Sequence, residues 1–141
     1  MFLSPEVYRS LVNISPILCV DLVLRAPNGK YILFKRNNEP LKGRWWVAGG
    51  RVFKGESVAT ACRRKLLEET GIDGDTLTFR LLGFFQDVFP CSFVANEPYH
   101  AVSLVFAATI DPATIRMDAQ HSEWGLFDTL PEDCVIYEGN T

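Results

Sequence analysis

The sequence lacks the features that mark several specialised classes of protein. It has no Cys-x-x-Cys pair of the kind found in zinc and dithiol redox sites. We therefore expect reduced thiols, mostly buried, at the four scattered cysteines Cys19, Cys62, Cys91 and Cys134. Positive charge is also scarce, because fourteen Lys and Arg against seventeen Asp and Glu give a net charge of −3. The balance argues against a nucleic-acid partner, so any anionic ligand must be bound by local arginines.

Long apolar segments and targeting signals are missing as well. The longest apolar run, residues 14–24, is interrupted by Pro16 and Asp21 and is too short to cross a bilayer as a helix. The first residues do not combine a basic start, an apolar core and a small-residue cleavage site, so they do not resemble a secretory signal. We therefore expect a cytoplasmic protein without a membrane segment.

The remaining composition is that of an ordinary folded domain. The chain has 141 residues, of which 48% are hydrophobic and 22% are charged. A chain of this length buries roughly two thirds of its unfolded surface. No internal repeat and no linker rich in Pro, Gly or Ser divides it, so we predict a single domain over residues 1–141.

Hydrophobic spacing and turn residues predict a mixed sheet with one long helix. A capping serine followed by proline at residues 4–5 indicates a short N-terminal helix. The long helix is predicted over residues 57–70, with Gly71 as its stop, and a second helical segment near residues 111–115. Strands are predicted at residues 17–24, 30–36, 45–48, 78–86 and 101–110. This order favours an α/β or α+β sandwich.

The segment 50–72 carries the most informative charges. Charged side chains four residues apart form two neighbouring ridges of the predicted helix, Arg64 with Glu68 and Lys65 with Glu69. Carboxylates at the end of this helix, with Glu56 and the carbonyls near Gly49 and Gly50, suit Mg²⁺ or Mn²⁺. The two glycines allow either close backbone approach or positive φ. Simple ion pairs on a solvated helix face would give the same charge pattern.

This segment resembles the Nudix box, the signature of Nudix hydrolases. The positions that match are Gly50, Glu56, Arg64, Leu66, Glu68, Glu69, Gly71 and Ile72. The resemblance implies an α/β/α sandwich with a mixed sheet, a divalent metal ion, and a substrate in which a nucleoside diphosphate is joined to another group. Lys65 departs from the pattern, because the family usually carries Glu there, and the change removes a metal ligand or a base.

Most of the chain is also similar to one Nudix subfamily, the GDP-mannose mannosyl hydrolases. The similar segments are Met1-Phe2-Leu3, Asp21, Lys35-Arg36, Trp45, Gly49-Gly50-Arg51-Val52 and Asp118-Ala119-Gln120-His121. The resemblance implies attack of water at the anomeric carbon of GDP-mannose or GDP-glucose, which releases GDP and free hexose. It also implies a homodimer, with residues 1–16 as an extension in the contact. Residues 86–99 match poorly, so the nucleotide and the sugar stay open.

Carried over by position, the resemblance implies roles for single residues. The implied metal ligands are the Gly49 carbonyl, Glu69 and Gln120, and the implied general base is His121. Glu68 is a further candidate metal ligand, because it supplies a carboxylate that the subfamily often lacks and so makes a second metal ion possible. A neutral imidazole is available at pH 7 to take a proton from water. Arg36 and Arg51 would neutralise the diphosphate, and Asp21 would accept a sugar hydroxyl. Arg64 either contacts phosphate or orients Glu68.

Three functions are consistent with these residues. The first is the nucleotide-sugar hydrolase, motivated by Lys65 and His121. The second is a pyrophosphohydrolase that attacks phosphorus, in which Glu56, Glu68 and Glu69 bind one or more metal ions. The third is a non-catalytic module that binds a nucleotide sugar and regulates a partner.

Overall fold

The computed structural model describes residues 2–37, 42–89, 98–116 and 123–131, which form seven strands, two α-helices and one 3₁₀ turn. The elements are α1 (Pro5–Ile14), β1 (Ile17–Arg25), β2 (Tyr31–Lys35), β3 (Trp45–Trp46), β4 (Ala48–Arg51), α2 (Val58–Thr70), β5 (Arg80–Phe89), β6 (Tyr99–Thr109), the 3₁₀ turn (Pro112–Thr114) and β7 (Trp124–Phe127). Neither helix in these ranges is long and apolar enough to cross a membrane.

The strands form one mixed sheet around β1. The main order is β3-β2-β1-β6-β5, and β4 and β7 extend it by pairing with β1 and β2. β1 runs parallel to β6 and antiparallel to β2 and β4. In the register with β4, Asp21 lies opposite Gly49 and Val20 lies opposite Gly50. The central strand therefore brings Asp21 next to the start of the Nudix-like segment.

Both faces of the sheet are covered by a helix. On one face, Val20 and Leu22 belong to the core cluster that contains Ala61, Cys62 and Leu66 of α2. The odd-numbered residues of β1 point to the other face, where Cys19 packs with Val12 of α1. Packing on both sides explains why β1 is a nearly continuous apolar run. The expected α/β/α sandwich with a mixed sheet is confirmed.

The helix ends follow the local signals in the sequence. The Ser57 hydroxyl accepts a hydrogen bond from the Thr60 amide at 3.1 Å and caps α2. Gly71 ends the helix in the left-handed conformation with a φ of +75°, and its amide donates to the Leu67 carbonyl at 2.8 Å. Ser4 caps α1 in the same way, by accepting from the Val7 amide at 3.3 Å. The two main helix predictions are therefore confirmed.

Three details of the secondary structure differ from the predictions. The strand predicted at residues 45–48 is two strands, because β3 pairs with β2 whereas β4, after Val47, pairs with β1. The helix predicted near residues 111–115 is one 3₁₀ turn, which is too short for an α-helix. β7 had no counterpart in the prediction, and it is ordered as a strand by its pairing with the distant β2. Of the predicted thiols, Cys19 and Cys62 are buried and free, and the other two cysteines lie outside the described residues.

Candidate active site

The site lies where β4 leads through residues 52–57 into α2. α2 packs against β4 and β1, so the charged ridges of the helix meet the last residues of β4. The contact is closest at Gly50, where an added Cβ would lie 2.8 Å from Cε of Lys65. The end of β4, the loop and one face of α2 thus supply the charged network around Arg64 and Lys65.

Arg64 makes four hydrogen bonds, three to residues 51–56 and one to Glu68 of its own helix. Its Nε donates to Oε2 of Glu56 at 2.7 Å, and its Nη2 donates to Oε1 of Glu56 at 3.0 Å and to the Arg51 carbonyl at 2.9 Å. Its Nη1 donates to Oε1 of Glu68 at 3.1 Å. The guanidinium carbon also lies 3.7 Å from the centre of the Phe53 ring. These contacts are those of a residue that orients Glu68 and fixes the loop.

Glu56 is fully engaged in the same network. Besides the two bonds from Arg64, its Oε1 accepts the Phe53 amide at 3.0 Å, and the side chain is only 10% exposed. The hydrogen bond from Arg64 holds the pKa of Glu56 below its usual range. Its oxygens are already paired inside the protein, so this carboxylate holds the loop against α2. The geometry does not favour the metal-binding role that the phosphorus-attack hypothesis gave it.

Lys65 draws the two acidic side chains of the last helical turn together. Its Nζ donates to Oε2 of Glu68 at 2.9 Å and lies 3.3 Å from Oε1 of Glu69. Burial raises the pKa of Glu68, but the hydrogen bonds and charges of Lys65 and Arg64 outweigh it and the pKa is lowered. The Lys65 side chain is 14% exposed. A cation held between two carboxylates is thus an observed feature of this helix end.

The positions of Glu68 and Glu69 around Lys65 show whether the site suits a metal ion. Glu68 and Glu69 offer hard carboxylate oxygens within reach of one cation, which is the ligand type that Mg²⁺ prefers. Within the described ranges, no group of three or more His, Cys, Asp or Glu side chains is arranged to hold an ion. The residues fit a divalent ion that takes further ligands from a carbonyl such as that of Gly49, from water or from substrate phosphate.

Gly49 and Gly50 serve close approach rather than an unusual backbone conformation. Neither is among the glycines with positive φ. A Cβ at Gly49 would lie 2.5 Å from Oδ1 of Asp21 and 2.6 Å from the Val20 carbonyl oxygen. A side chain at Gly49 would displace β1, and one at Gly50 would displace Lys65. Of the two roles that the sequence allows for these glycines, close approach is therefore the correct one and positive φ is not.

Asp21 lies at the centre of a polar group on the sheet face opposite α2. It hydrogen-bonds Ser103, and the charges of Asp87 and Arg36 also act on it. Burial raises the pKa of Asp21 to about 7, the Ser103 hydrogen bond and Arg36 oppose the rise, and Asp87 adds to it. We call Asp21, Asp87, Ser103 and Arg36 the sheet-face cluster. It gathers hydrogen-bond acceptors and one guanidinium on an otherwise apolar face.

The two arginines expected to bind phosphate belong to different parts of the site. Arg51 ends β4, and its guanidinium carbon lies 4.9 Å from the centre of the Phe53 ring, the ring that Arg64 also contacts. Arg36 follows β2, where its amide donates to the Arg44 carbonyl at 2.8 Å, and its charge acts on Asp21. Arg51 is thus connected to the helix network and Arg36 to the sheet-face cluster.

Sequence reasoning covers only part of this arrangement. Gln120 and His121, the implied metal ligand and general base, lie outside the described residues and remain predictions. The participation of Asp87 and Ser103 was missed, because it depends on how β5 and β6 align with β1. A polar residue at alternating positions of an apolar strand, such as Ser103 in β6, is the signal that was present.

Comparison with known proteins adds the following similarities. Residues 16–131 match the family described as NUDIX domain. The "Low-salt glycan biosynthesis protein Agl8" of Haloferax volcanii is 37% identical over 122 residues, which cover 86% of this chain and 76% of that protein. The "ADP-ribose pyrophosphatase" of Methanocaldococcus jannaschii is 31% identical over 126 residues, 87% of this chain and 69% of that protein. A MutT NUDIX hydrolase from Burkholderia pseudomallei shares the fold with a TM-score of 0.68 at 24% identity, covering 86% of this chain and 95% of its own.

Proposed function

The chain belongs to the NUDIX family of hydrolases, and we propose that it hydrolyses a nucleotide sugar with the help of Mg²⁺ or Mn²⁺. The first candidates are GDP-mannose and GDP-glucose, with GDP and free hexose as products. The relative named for glycan biosynthesis favours a substrate that contains a sugar. The observation that carries the proposal is the position of Lys65 between Glu68 and Glu69.

Lys65 affects where water can be activated. Both oxygens of Glu68 already accept hydrogen bonds, one from Arg64 and one from Lys65. A carboxylate with both oxygens engaged is poorly placed to take a proton from water beside the phosphorus atoms. Position 65 itself, which carries a glutamate in most of the family, offers an ammonium in place of a base. A base elsewhere is then required, and we assign this role to His121 by its resemblance to the GDP-mannose subfamily.

The charges around the site suit a diphosphate leaving group. A divalent ion held by Glu69 and the Gly49 carbonyl, with Glu68 beside it, would neutralise the charge that develops on the diphosphate. Arg36 and Arg51 supply planar guanidinium groups that match phosphate oxygens. Because GDP leaves as a stabilised anion, no protonated carboxylic acid is needed, in contrast with ordinary glycosidases.

The sheet-face cluster provides acceptors for the hydroxyl groups of a sugar. Asp21 is the only charged residue inside β1 before the terminal Arg25, and it lies beside Gly49 in the strand register. A hexose hydroxyl that donates to a buried carboxylate gains a strong, directional hydrogen bond. We therefore propose that Asp21 orients the sugar, with Asp87 and Ser103 as neighbouring acceptors.

A second candidate is hydrolysis at phosphorus, which would release a mononucleotide and a sugar phosphate. The contacts of Arg64 with Glu56 and Glu68 hold the loop at residues 52–57 against α2 despite the presence of Lys65. The similarity to an ADP-ribose pyrophosphatase also favours this reaction. The binding-module hypothesis is a third outcome and predicts no turnover at all.

Phosphorus NMR distinguishes these reactions directly. GDP-mannose is incubated with the protein and Mg²⁺ in ¹⁸O water, and the products are identified by their phosphorus signals. GDP without ¹⁸O shows attack at carbon and supports the proposal. GDP that carries ¹⁸O, or GMP with mannose 1-phosphate, shows attack at phosphorus and refutes it. If GDP-mannose is unchanged, the same assay on GDP-glucose and GDP-fucose decides, and no turnover of any of the three refutes hydrolysis of GDP-sugars.

We also propose a homodimer in which residues 1–16 contribute to the contact. Val7 and Ile14 are seven residues apart on α1, and their side chains are exposed to solvent together with Phe2. Exposed apolar groups on one helix face are typical of a contact surface. Sedimentation equilibrium at micromolar concentration gives the mass, and a species of 15.9 kDa would refute the dimer.

A further inference from the structure

We propose that the Lys65 ammonium is a permanent cation of the active site and limits it to one divalent metal ion. The inference rests on the metal dependence proposed above and extends it to the number of ions. It starts from an unusual combination in the described residues, a largely buried lysine that contacts two consecutive glutamates of one helix turn.

The path of the Lys65 side chain is fixed by its surroundings. Its aliphatic part passes over Gly50, where the position of a Cβ would be 2.8 Å from Cε and 3.1 Å from Nζ. Its side chain is 14% exposed, compared with 47% for the neighbouring Arg63, which pairs with Asp73 and Asp75 away from the site. Lys65 is therefore held in place, whereas Arg63 is an ordinary surface cation.

The hydrogen bonds leave one of the two glutamates available. Oε1 of Glu68 accepts from Arg64 and its Oε2 accepts from Lys65, so both oxygens have cationic partners. Glu69 approaches Lys65 through Oε1 only, and its Oε2 has no partner within the described ranges. One carboxylate oxygen can thus take an ion without displacing a protein cation, while a second ion would have to compete with Lys65 or Arg64.

Charge points to the same number of ions. Three carboxylates and two cations in this group leave a net charge of −1: Glu56, Glu68, Glu69, Arg64 and Lys65. One divalent ion reverses that sign, so a second ion would enter a positive environment. Without the lysine charge the group would carry −2, and with a glutamate at position 65 it would carry −3. Lys65 thus supplies the charge that a second metal ion would otherwise bring to the substrate phosphates.

The test counts bound Mn²⁺ without any substrate. The electron paramagnetic resonance signal of free Mn²⁺ gives the number of ions per chain and their dissociation constants for wild type and three variants. Lys65→Met keeps most of the unbranched side chain and removes its charge, and Lys65→Glu restores the usual glutamate. Arg63→Met is the matched control, because it removes one positive charge from the adjacent position of α2 outside the carboxylate pair. Circular dichroism verifies that each variant is folded.

We expect one Mn²⁺ per chain for wild type and for Arg63→Met, and two for Lys65→Glu. For Lys65→Met we expect the dissociation constant of the ion to fall about tenfold, from removal of one charge a few ångströms away. Two ions in wild type, or Lys65 variants that bind Mn²⁺ as wild type does, would overturn the inference while leaving the proposed hydrolysis standing. Absence of binding in every protein, including Lys65→Glu, would overturn both the inference and the metal dependence.

Discussion

Replacing Arg64 with methionine removes the three hydrogen bonds that join residues 51–56 to α2 and the one to Glu68, while an unbranched side chain remains over Phe53. Glu56 then keeps one partner, the Phe53 amide, in a position where its side chain is 10% exposed. Removal of one partner from a buried ion pair costs roughly 3–5 kcal/mol. Arg64 is itself 21% exposed, so we expect the lower end, a loss of about 3 kcal/mol.

Urea denaturation at pH 7 measures this loss for Arg64→Met, Glu56→Gln and the double variant. Because the two side chains bond directly, the double variant should be more stable than the sum of the single effects predicts, by at least about 1 kcal/mol. Arg63→Met is the control, and its exposed ion pairs predict a change below about 1 kcal/mol. Equal losses for Arg64→Met and Arg63→Met, or strictly additive effects, would refute the reasoning.

The same pair predicts the pH dependence of the loss. The pKa of Glu56 is lowered in the folded protein, chiefly by the hydrogen bond from Arg64. A lowered pKa contributes stability that is present above the ordinary carboxyl value and is lost as the pH falls through the folded value. The difference between wild type and Arg64→Met should therefore be largest near pH 7 and shrink in strongly acidic solution. A difference that grows on acidification would contradict this assignment.

Three further predictions follow from single side chains. Gly49→Ala should destabilise the fold by about 2 kcal/mol in urea denaturation, because its Cβ meets the Val20 carbonyl, whereas Gly50→Ala meets only the flexible Lys65 and should cost less. Burial raises the pKa of Cys19 and Cys62 to about 11, so in a variant without the other two cysteines an aromatic disulfide reagent at pH 8 should react far more slowly than after unfolding. His121→Gln should lower kcat at least about 100-fold with GDP-mannose if it is the base, and an unchanged kcat would exclude that role.

Local signals account for what the sequence predicts correctly. The cap at Ser57, the stop at Gly71 and the pairs four residues apart on α2 all depend on neighbours within one or two helical turns. The break at Val47 and the strand β7 depend instead on distant partners in the sheet. Such pairing is set by tertiary packing, which short-range patterns do not contain.

The contacts of the site also fall into a group that local spacing predicts and a group that depends on tertiary structure. The contacts of Arg64 with Glu68 and of Lys65 with Glu69 follow from helical spacing. The contact of Arg64 with Glu56, eight residues away, requires the path of the loop, and the passage of Lys65 over Gly50 requires the position of β4. For this reason the sequence predicted an acidic site but neither the complete engagement of Glu56 nor the fixed position of the lysine.

Asp21 reduces the stability of the central strand, whereas its proposed role in substrate binding requires a carboxyl group there. β1 is packed on both faces, and apart from Asp21 all residues between its ends are apolar. Burial of the carboxyl group raises its pKa to about 7, so the fold would be more stable with an uncharged side chain there. Substitutions selected for thermal stability alone would therefore accumulate at this position. We expect them to yield a more stable protein that lacks the proposed hydrogen bond from the sugar to Asp21. Any effort to stabilise this enzyme should leave Asp21 unchanged and work on the outer strands.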